Sequence, residues 1–371
     1  MSNPQGNKQK SSRFATIRQM FSGITLGANL VALLLLWAVC GTTYLPPSHY
    51  SLITVVGLAF PIVLLLNIVF LFLWLFVNWR YLWVPVLGMG LVWNFIMDYH
   101  PINIGSAASG GEVLKVVSWN VQALYQMEGR EKEFDEKIKS WDADLLVFQE
   151  EYGGRLVAHA DSLMSALGYK KAAGNGRTIY SRHPILCTRE PEMPSSHANG
   201  ILMADVLAHG DTTTIINCHL ESNFITKEDK ADGRAAMANH ISQQTVKKAR
   251  TLWGKLARSA RIRAEQTDRV TRLLDSLPPQ RPVIVCGDFN DTPISYAYQQ
   301  VSKHLQNAWR NKGNGMGISY NERFFYFRID HFFHNDAWET RSADIEQHSP
   351  FSDHNPLIVT LRRAKIIVNR R

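Results

Sequence analysis

The sequence predicts an α+β domain over residues 113–363, set behind an all-helical, membrane-spanning region over residues 24–97. Three observations carry this. Apolar stretches without a charge crowd the first hundred residues. From Val113 onward, short aliphatic and β-branched runs alternate with amphipathic, helix-period segments. Several of those apolar runs stop at an Asn, Glu, His or Asp.

Residues 1–23 are polar and basic, with Lys8, Lys10, Arg13 and Arg18, and are expected to stay in the cytoplasm. Stretches 24–40, 52–77 and 81–97 contain no charge and read as membrane helices, because about 20 apolar residues span the hydrocarbon core. The third is interrupted by Pro85, Gly88, Gly90 and Asn94, so a re-entrant path competes with a span there. A cleaved signal peptide competes for the first stretch, but cleavage leaves the later spans in place. A lipoprotein signal ending at Cys40 is disfavoured by Val39, where a small residue is needed. Gly41 to Tyr50 carries no Lys or Arg and can cross, whereas Arg80 marks a cytoplasmic turn. Three spans put the following domain outside the cytoplasm and two keep it inside. The expectation is an integral protein of the cell (inner) membrane with an extracytoplasmic domain.

Residues 98–112 are expected to form a linker, rich in Gly, Ser and Ala from Ile104 to Gly111. Strands are predicted at 113–121, 144–148, 178–180, 201–207, 213–220, 283–286, 324–333 and 355–361, with Gly210-Asp211 as a hairpin turn. Helices are predicted at 131–141, 156–167 and near 296–308. From 223 to 277 the pattern is polar and helical. Its stretch 244–272 carries Lys247, Lys248, Arg250, Lys255, Arg258, Arg261, Arg263, Arg269 and Arg272 against Glu265 and Asp268, which suits either a solvated face or a surface for membrane or polyanion. Residues 364–371 form a basic tail. The net charge of +8 is consistent with an acidic partner without naming one. Cys187, Cys218 and Cys286 lie in apolar strands and are expected to be buried free thiols, so no disulfide scaffold is indicated.

The most informative segment is Val283-Ile284-Val285-Cys286-Gly287-Asp288-Phe289-Asn290, a strand buried on both faces that runs through Gly287 into two polar residues. Asn120, Glu150 and His219 end other strands in the same way, and Asp353-His354 precedes the last strand. Any one of these reads as a cap or a satisfied core histidine. Several brought to one sheet edge read as a site for a phosphate and its metal.

The ordered set Ser118-Trp119-Asn120, Gln149-Glu150, Asn217-Cys218-His219-Leu220, Gly287-Asp288-Phe289-Asn290, Arg328-Ile329-Asp330 and Ser352-Asp353-His354 resembles the endonuclease/exonuclease/phosphatase superfamily, typified by deoxyribonuclease I and exonuclease III. The resemblance covers about Val113 to Arg363 with every motif present. His331 departs from it, since many members carry Tyr after the Asp.

The resemblance implies a four-layer α/β/β/α sandwich with its site at one edge of the paired sheets, and Mg2+ or Mn2+ dependent cleavage of phosphate esters. Glu150 would bind the metal directly and Asp353 support it from the other side, since hard oxygen ligands suit Mg2+. Asn120 and Asn290 would hold a phosphoryl oxygen or orient Asp288. Asp288 would orient or deprotonate the attacking water. His354, held by Asp330, would be the general base or a phosphate-binding imidazolium, with His219 as the second phosphate-facing histidine. Glu151 and Asp291 are expected to face solvent, and His197-Ala198-Asn199 lies where members contact substrate. The expected function is a membrane-anchored phosphoesterase on nucleic acid, lipid head group or small phosphoester, with the bilayer as its other partner and no obligate protein partner. The alternative is a non-catalytic, membrane-tethered binding module that keeps the fold. The intact motif set argues against that alternative.

Overall fold

The polar N-terminus runs without a break into the first apolar stretch, so that α1 spans Pro4–Gly41. The structure is a computed structural model describing residues 4–104, 112–195, 199–226, 228–229, 243–322 and 325–364. After α1 come α2 (Pro47–Thr54), a 3-10 turn (Val55–Ala59) and α3 (Phe60–Val77). The third apolar stretch is divided into α4 (Trp83–Gly90) and α5 (Trp93–Tyr99). Arg18–Tyr44 and Pro47–Val77 are long and apolar enough to cross a membrane; the third segment bends by 69° at its break. Polar contacts join α1 and α3: Trp74 Nε1 donates to Asn29 Oδ1 at 2.9 Å and Asn67 Nδ2 to the Ala32 carbonyl at 3.0 Å.

The bent segment returns to the end of the bundle where α1 stops. Phe60 and Tyr99 have ring centroids 5.2 Å apart and Tyr44 and Phe95 6.1 Å, whereas Trp74 meets Tyr81 at the other end. The α+β domain therefore lies at the end opposite Arg80.

In that domain the strands form two six-stranded sheets. In order across the first sheet lie β13 (Trp338–Ile345), β14 (Leu357–Arg363), β1 (Val113–Asn120), β2 (Leu145–Gln149), β4 (Arg177–Ser181) and β3 (Lys170–Ala173). The second has β5 (Ile185–Arg189), β6 (Gly200–Ala208), β7 (Asp211–His219), β8 (Val283–Asp288), β12 (Asp330–His334) and β9 (Gln306–Asn307). A small hairpin, β10 (Tyr320–Glu322) and β11 (Phe325–Phe327), stands apart.

Alternation in the central strands builds three apolar layers. Leu114 and Val116 of β1 meet Ile284 and Cys286 of β8 between the sheets. Val117 and Trp119 face the other way, onto α6 (Glu131–Trp141) and α7 (Arg155–Ala166). Val283 and Val285 face α8 (Gln243–Ser276) and α9 (Tyr296–Ser302). This is the expected α/β/β/α order. Trp119 is fully buried among Phe134, Trp141 and Phe148, and truncating it to Ala would cost about 3–5 kcal/mol.

The structure departs from the sequence reading in particular places. Helix α9 stops at Ser302, and after β9 a separate α10 (Ala308–Lys312) begins where Asn307 Oδ1 caps the Arg310 N–H at 3.0 Å. The 324–333 run is two strands, because Ser319 Oγ takes the N–H groups of both Ile329 and Asp330. Strands β3 and β13 lack clean apolar alternation and are not among the predicted strands, and β5 is marked in the sequence only by the strand-like surroundings of Cys187. Cys187 is exposed on edge strand β5, contrary to the expected burial, while Cys218 and Cys286 are buried.

The described part of the segment read as a linker is fixed to the domain. Asp98 accepts from Arg310 Nη1 at 2.6 Å and Gln299 Nε2 at 3.0 Å, and Asn103 Nδ2 donates to the Gly313 carbonyl at 2.6 Å. Residues 105–111, like His197 and Ala198 and the tail beyond Ala364, lie outside the described residues.

Candidate active site

Both parallel strand pairs, β1 with β2 and β7 with β8, end at the same edge of the sandwich, which places Asn120 opposite Gln149 and His219 opposite Asp288. Strand β12 starts there in the antiparallel sense with Asp330 opposite Asp288. Gly287 is required: its φ is +133°, and a Cβ would stand 2.0 Å from the Cys218 carbonyl oxygen. Just past the strand ends, Glu150 (φ +58°) and Asn290 (φ +51°) adopt left-handed backbone. Such conformations cost on the order of 1–3 kcal/mol each and persist where neighbours over-determine them. Asn290 is held by its N–H on Asp288 Oδ1 at 2.7 Å and its Nδ2 on the Leu220 carbonyl at 3.0 Å.

Asn120 ties the sheets together through their carboxylates. Its Nδ2 lies 3.0 Å from both Glu150 Oε1 and Asp288 Oδ2, while its Oδ1 accepts from the Gln122 N–H at 3.0 Å. Beneath it, Gln149 Nε2 donates to Asn217 Oδ1 at 2.8 Å, and Asn217 Nδ2 donates to the Phe148 carbonyl, so two buried amides join the sheets.

His354 Nδ1 lies 2.8 Å from Asp330 Oδ2, and its Nε2 3.8 Å from Asp288 Oδ2. Burial opposes charge on this imidazole, but Asp330 and Asp288 outweigh it and push its pKa up to about 10. Asp330 is likewise opposed by burial, yet the His354 charge and hydrogen bond hold it below the usual carboxylate range. The two form an ion pair at neutral pH. Burial pushes Asp288 up to about 7 against the pull of His354 and the hydrogen bonds from Asn290 and Asn120. The motif strands lock this arrangement: Ser352 Oγ donates to the Asn120 carbonyl at 2.7 Å and Trp119 Nε1 to the His354 carbonyl at 2.9 Å. Tyr320 lies against the His354 ring, centroids 5.0 Å apart.

His219 is buried with neither ring nitrogen hydrogen-bonded among the described residues, its Nε2 3.4 Å from Glu150 Oε1 and 3.9 Å from Asp288 Oδ2. Burial, aided by the charges of Arg177 and His354, lowers its pKa to about 3, so it is a neutral imidazole. Glu150, His219 and Asp288 present ligand atoms within 4.8 Å of one another, as do Asp288, Asp330 and His354. The first set fits a divalent cation, having two carboxylates and an imidazole nitrogen without a proton partner. The second is already paired through a proton. Asp353 lines the same cleft as Glu150 and His354 and joins neither set.

Two expectations fail beside the site. Glu151 is buried and accepts from Tyr180 OH at 2.9 Å. Asp291 is nearly buried and paired with Arg263 Nε at 3.0 Å. Arg263, read from sequence as one of a basic run, points inward, its Nη1 also donating to the Glu221 carbonyl and to Asn223 Oδ1. The signal for this is the stripe Ser259, Arg263, Gln266, Val270 on one helical face, disguised by its polar residues. Arg177, a buried cation acting on His219, carried no such signal.

The Endonuclease/Exonuclease/phosphatase family model matches residues 117–354, and a model described as a domain of unknown function matches residues 20–99. No curated protein matches the chain. Among solved structures, Danio rerio TDP2 complexed with single strand DNA product is similar at 16% identity and a TM-score of 0.51, covering 68% of this chain and 99% of that one. The human Nocturnin catalytic domain with bound sulfate is similar at 16% identity and 0.49, covering 69% and 97%. An endonuclease/exonuclease/phosphatase from Bacteroides vulgatus is similar at 16% identity and 0.49, covering 68% and 99%. The likeness to TDP2 establishes the four-layer, deoxyribonuclease I-like fold. With the family model spanning all the strand-end residues, the chain belongs to the Endonuclease/Exonuclease/phosphatase family, hydrolases that act on phosphoester bonds.

Proposed function

We propose that the chain is a membrane-anchored, divalent-metal-dependent phosphoesterase that hydrolyses its ester by in-line attack of water. The observation that carries this is Asp288, a buried carboxylate set by Asn120 and Asn290 between a neutral His219 and a cationic His354. Glu150 would hold Mg2+ or Mn2+, with Asp288 and His219 presenting ligand atoms beside it and Asp353 supporting it from the same cleft. When bound, the ion neutralises charge on the phosphate and the leaving oxygen.

Asp288 orients the attacking water and takes its proton. His354, kept charged by Asp330, donates to a phosphoryl oxygen, and neutral His219 faces the same oxygen set. Asn120 acts mainly on Glu150 and Asp288, where its amide nitrogen is engaged, and Asn290 acts on Asp288 through its backbone N–H while its Nδ2 donates chiefly to the Leu220 carbonyl. Electrostatics support that division of labour: an imidazolium in an ion pair makes a poor base, whereas a carboxylate that burial brings to about 7 makes a good one.

The membrane region is residues 24–97, the catalytic domain 113–363 and the basic tail 364–371. With the bent segment counted as a third crossing, the catalytic domain is extracytoplasmic, since it lies at the bundle end opposite Arg80. A reporter fused at the C-terminus and active on the cytoplasmic side would overturn that topology. Full-length protein in detergent, assayed on bis(p-nitrophenyl) phosphate with Mg2+ or Mn2+, tests the chemistry. Turnover lost in Asp288→Ala and His354→Ala proteins is the expected result. Equal turnover in those variants would overturn the reading.

A further inference from the structure

We propose that the substrate is a membrane lipid phosphoester whose hydrocarbon chain lies in a cleft built between the catalytic domain and the chain's own membrane segment; this rests on the phosphoesterase reading above. The cleft, about 380 Å³, holds Glu150, Asp288 and His354 at its polar end. Its apolar wall comes from three separate parts of the chain. Val55 and Leu58 belong to the turn between α2 and α3, Leu252 and Leu256 lie one turn apart on α8, and Phe224 and Ile225 belong to the loop after β7. Such a volume suits an elongated apolar ligand with a few placed polar groups at one end.

Charge separates this from a polyanion site. A nucleic acid needs cations that follow its phosphates, yet the Lys or Arg lining the cleft among the described residues is Arg263 alone, engaged with Asp291 and the Glu221 carbonyl. The exposed cations of α8, Lys247, Arg250 and Arg258, stand outside the cleft. They flank Trp253, whose Nε1 donates to the Leu52 carbonyl of α2 at 2.9 Å. A tryptophan and exposed cations beside the exposed side chains of Leu52 and Ile53, at the end of two spans, is the composition of a helix lying at the head-group level of a bilayer. The cleft therefore opens where lipid is, and a chain drawn from the bilayer along Val55 and Leu58 brings its phosphate to Asp288.

The test uses full-length protein in detergent with Mg2+ and p-nitrophenyl phosphodiesters carrying butyl, octyl or dodecyl chains. Buried methylenes bind progressively better, so kcat/KM is expected to rise at least about tenfold from butyl to dodecyl. Leu256→Trp, narrowing the cleft from α8, lowers the dodecyl-to-butyl ratio, and Val55→Trp, narrowing it from the turn between α2 and α3, does the same. Equal rates for all three chains, or an unchanged ratio in both variants, would overturn the lipid assignment while leaving the phosphoesterase standing. Faster cleavage of a single-stranded oligonucleotide than of the dodecyl ester would also overturn it. Hydrolysis of none of these esters would overturn the phosphoesterase reading, and the lipid assignment with it.

Discussion

The carbonyl oxygen of Ile294 lies 2.3 Å from the position a Cβ on Gly57 would occupy. The loop that leaves Asp288 and Asn290 thus rests directly on the 3-10 turn between α2 and α3. Only a residue without a side chain permits the contact.

Gly57→Val is predicted to push the two parts apart. Overpacking of this kind costs about 1–3 kcal/mol, and the loop carrying Asp291 and Thr292 has to move with Ile294. A lower melting temperature together with reduced turnover is expected. Unaltered values of both would show that the contact does not couple the N-terminal helices to the site.

Asp98 supplies the second attachment, at the far end of the third apolar stretch. Its carboxylate accepts from Arg310 and Gln299, while Arg328 Nη2 donates to its carbonyl. Asp98→Asn leaves the backbone contact and removes the charge opposite Arg310, a half-exposed partner, so the loss is expected at about 1–3 kcal/mol rather than the full value for a buried pair. A double-mutant cycle with Arg310→Gln reads the coupling; additive losses would refute the pairing as a source of stability.

Asn120 carries the sharpest prediction at the site. Its one amide nitrogen separates the carboxylates of Glu150 and Asp288, so Asn120→Asp sets three acidic groups together and Asn120→Ala leaves two facing each other. Either change is expected to lower kcat by about a hundredfold or more, the scale seen when one oriented donor is removed from a reacting centre. The Asp variant is expected to need less Mg2+ for half-activation than the Ala variant, because it adds a hard ligand. Equal metal requirements would show that Asn120 acts only on Asp288.

Much of this was legible because strands buried on both faces leave continuous apolar runs, and the polar residue that ends such a run has few places to go. Asn120, Glu150, His219 and Asp288 were visible for that reason, and register brought them to one edge. What could not be seen depends on which side a helix turns. Arg263 and Asp291 read as surface residues, yet they form a nearly buried pair beside the cleft. Glu151 was lost for a related reason: the chain takes a left-handed step at Glu150, and period-two reasoning does not survive a positive φ. The docking of the apolar N-terminal helices was invisible, since nothing local to Gly57 or Asp98 names a partner more than two hundred residues away.

His331, the one residue that departs from the family pattern, sets a prediction for pH. Its Nε2 lies 2.9 Å from the Asp291 carbonyl, and the ring packs on Phe289 and Tyr298 with centroids 5.3 and 4.8 Å away. Burial, with the charge of Arg328, lowers its pKa from 6.5 to about 3. The folded protein therefore holds this histidine neutral where the unfolded chain takes up a proton. Its contribution is complete above pH 6.5 and is lost as pH falls towards 3. Between pH 6.5 and 5 that loss amounts to about 2 kcal/mol. His331→Gln keeps a donor for the Asp291 carbonyl and has nothing to titrate, so its stability is expected to fall less steeply over the same window, His219 and His334, depressed in the same direction, contributing to the residual slope. Denaturant midpoints measured at several pH values on the two proteins decide it, and parallel curves would mean that His331 is already protonated, or already wet, in the folded state.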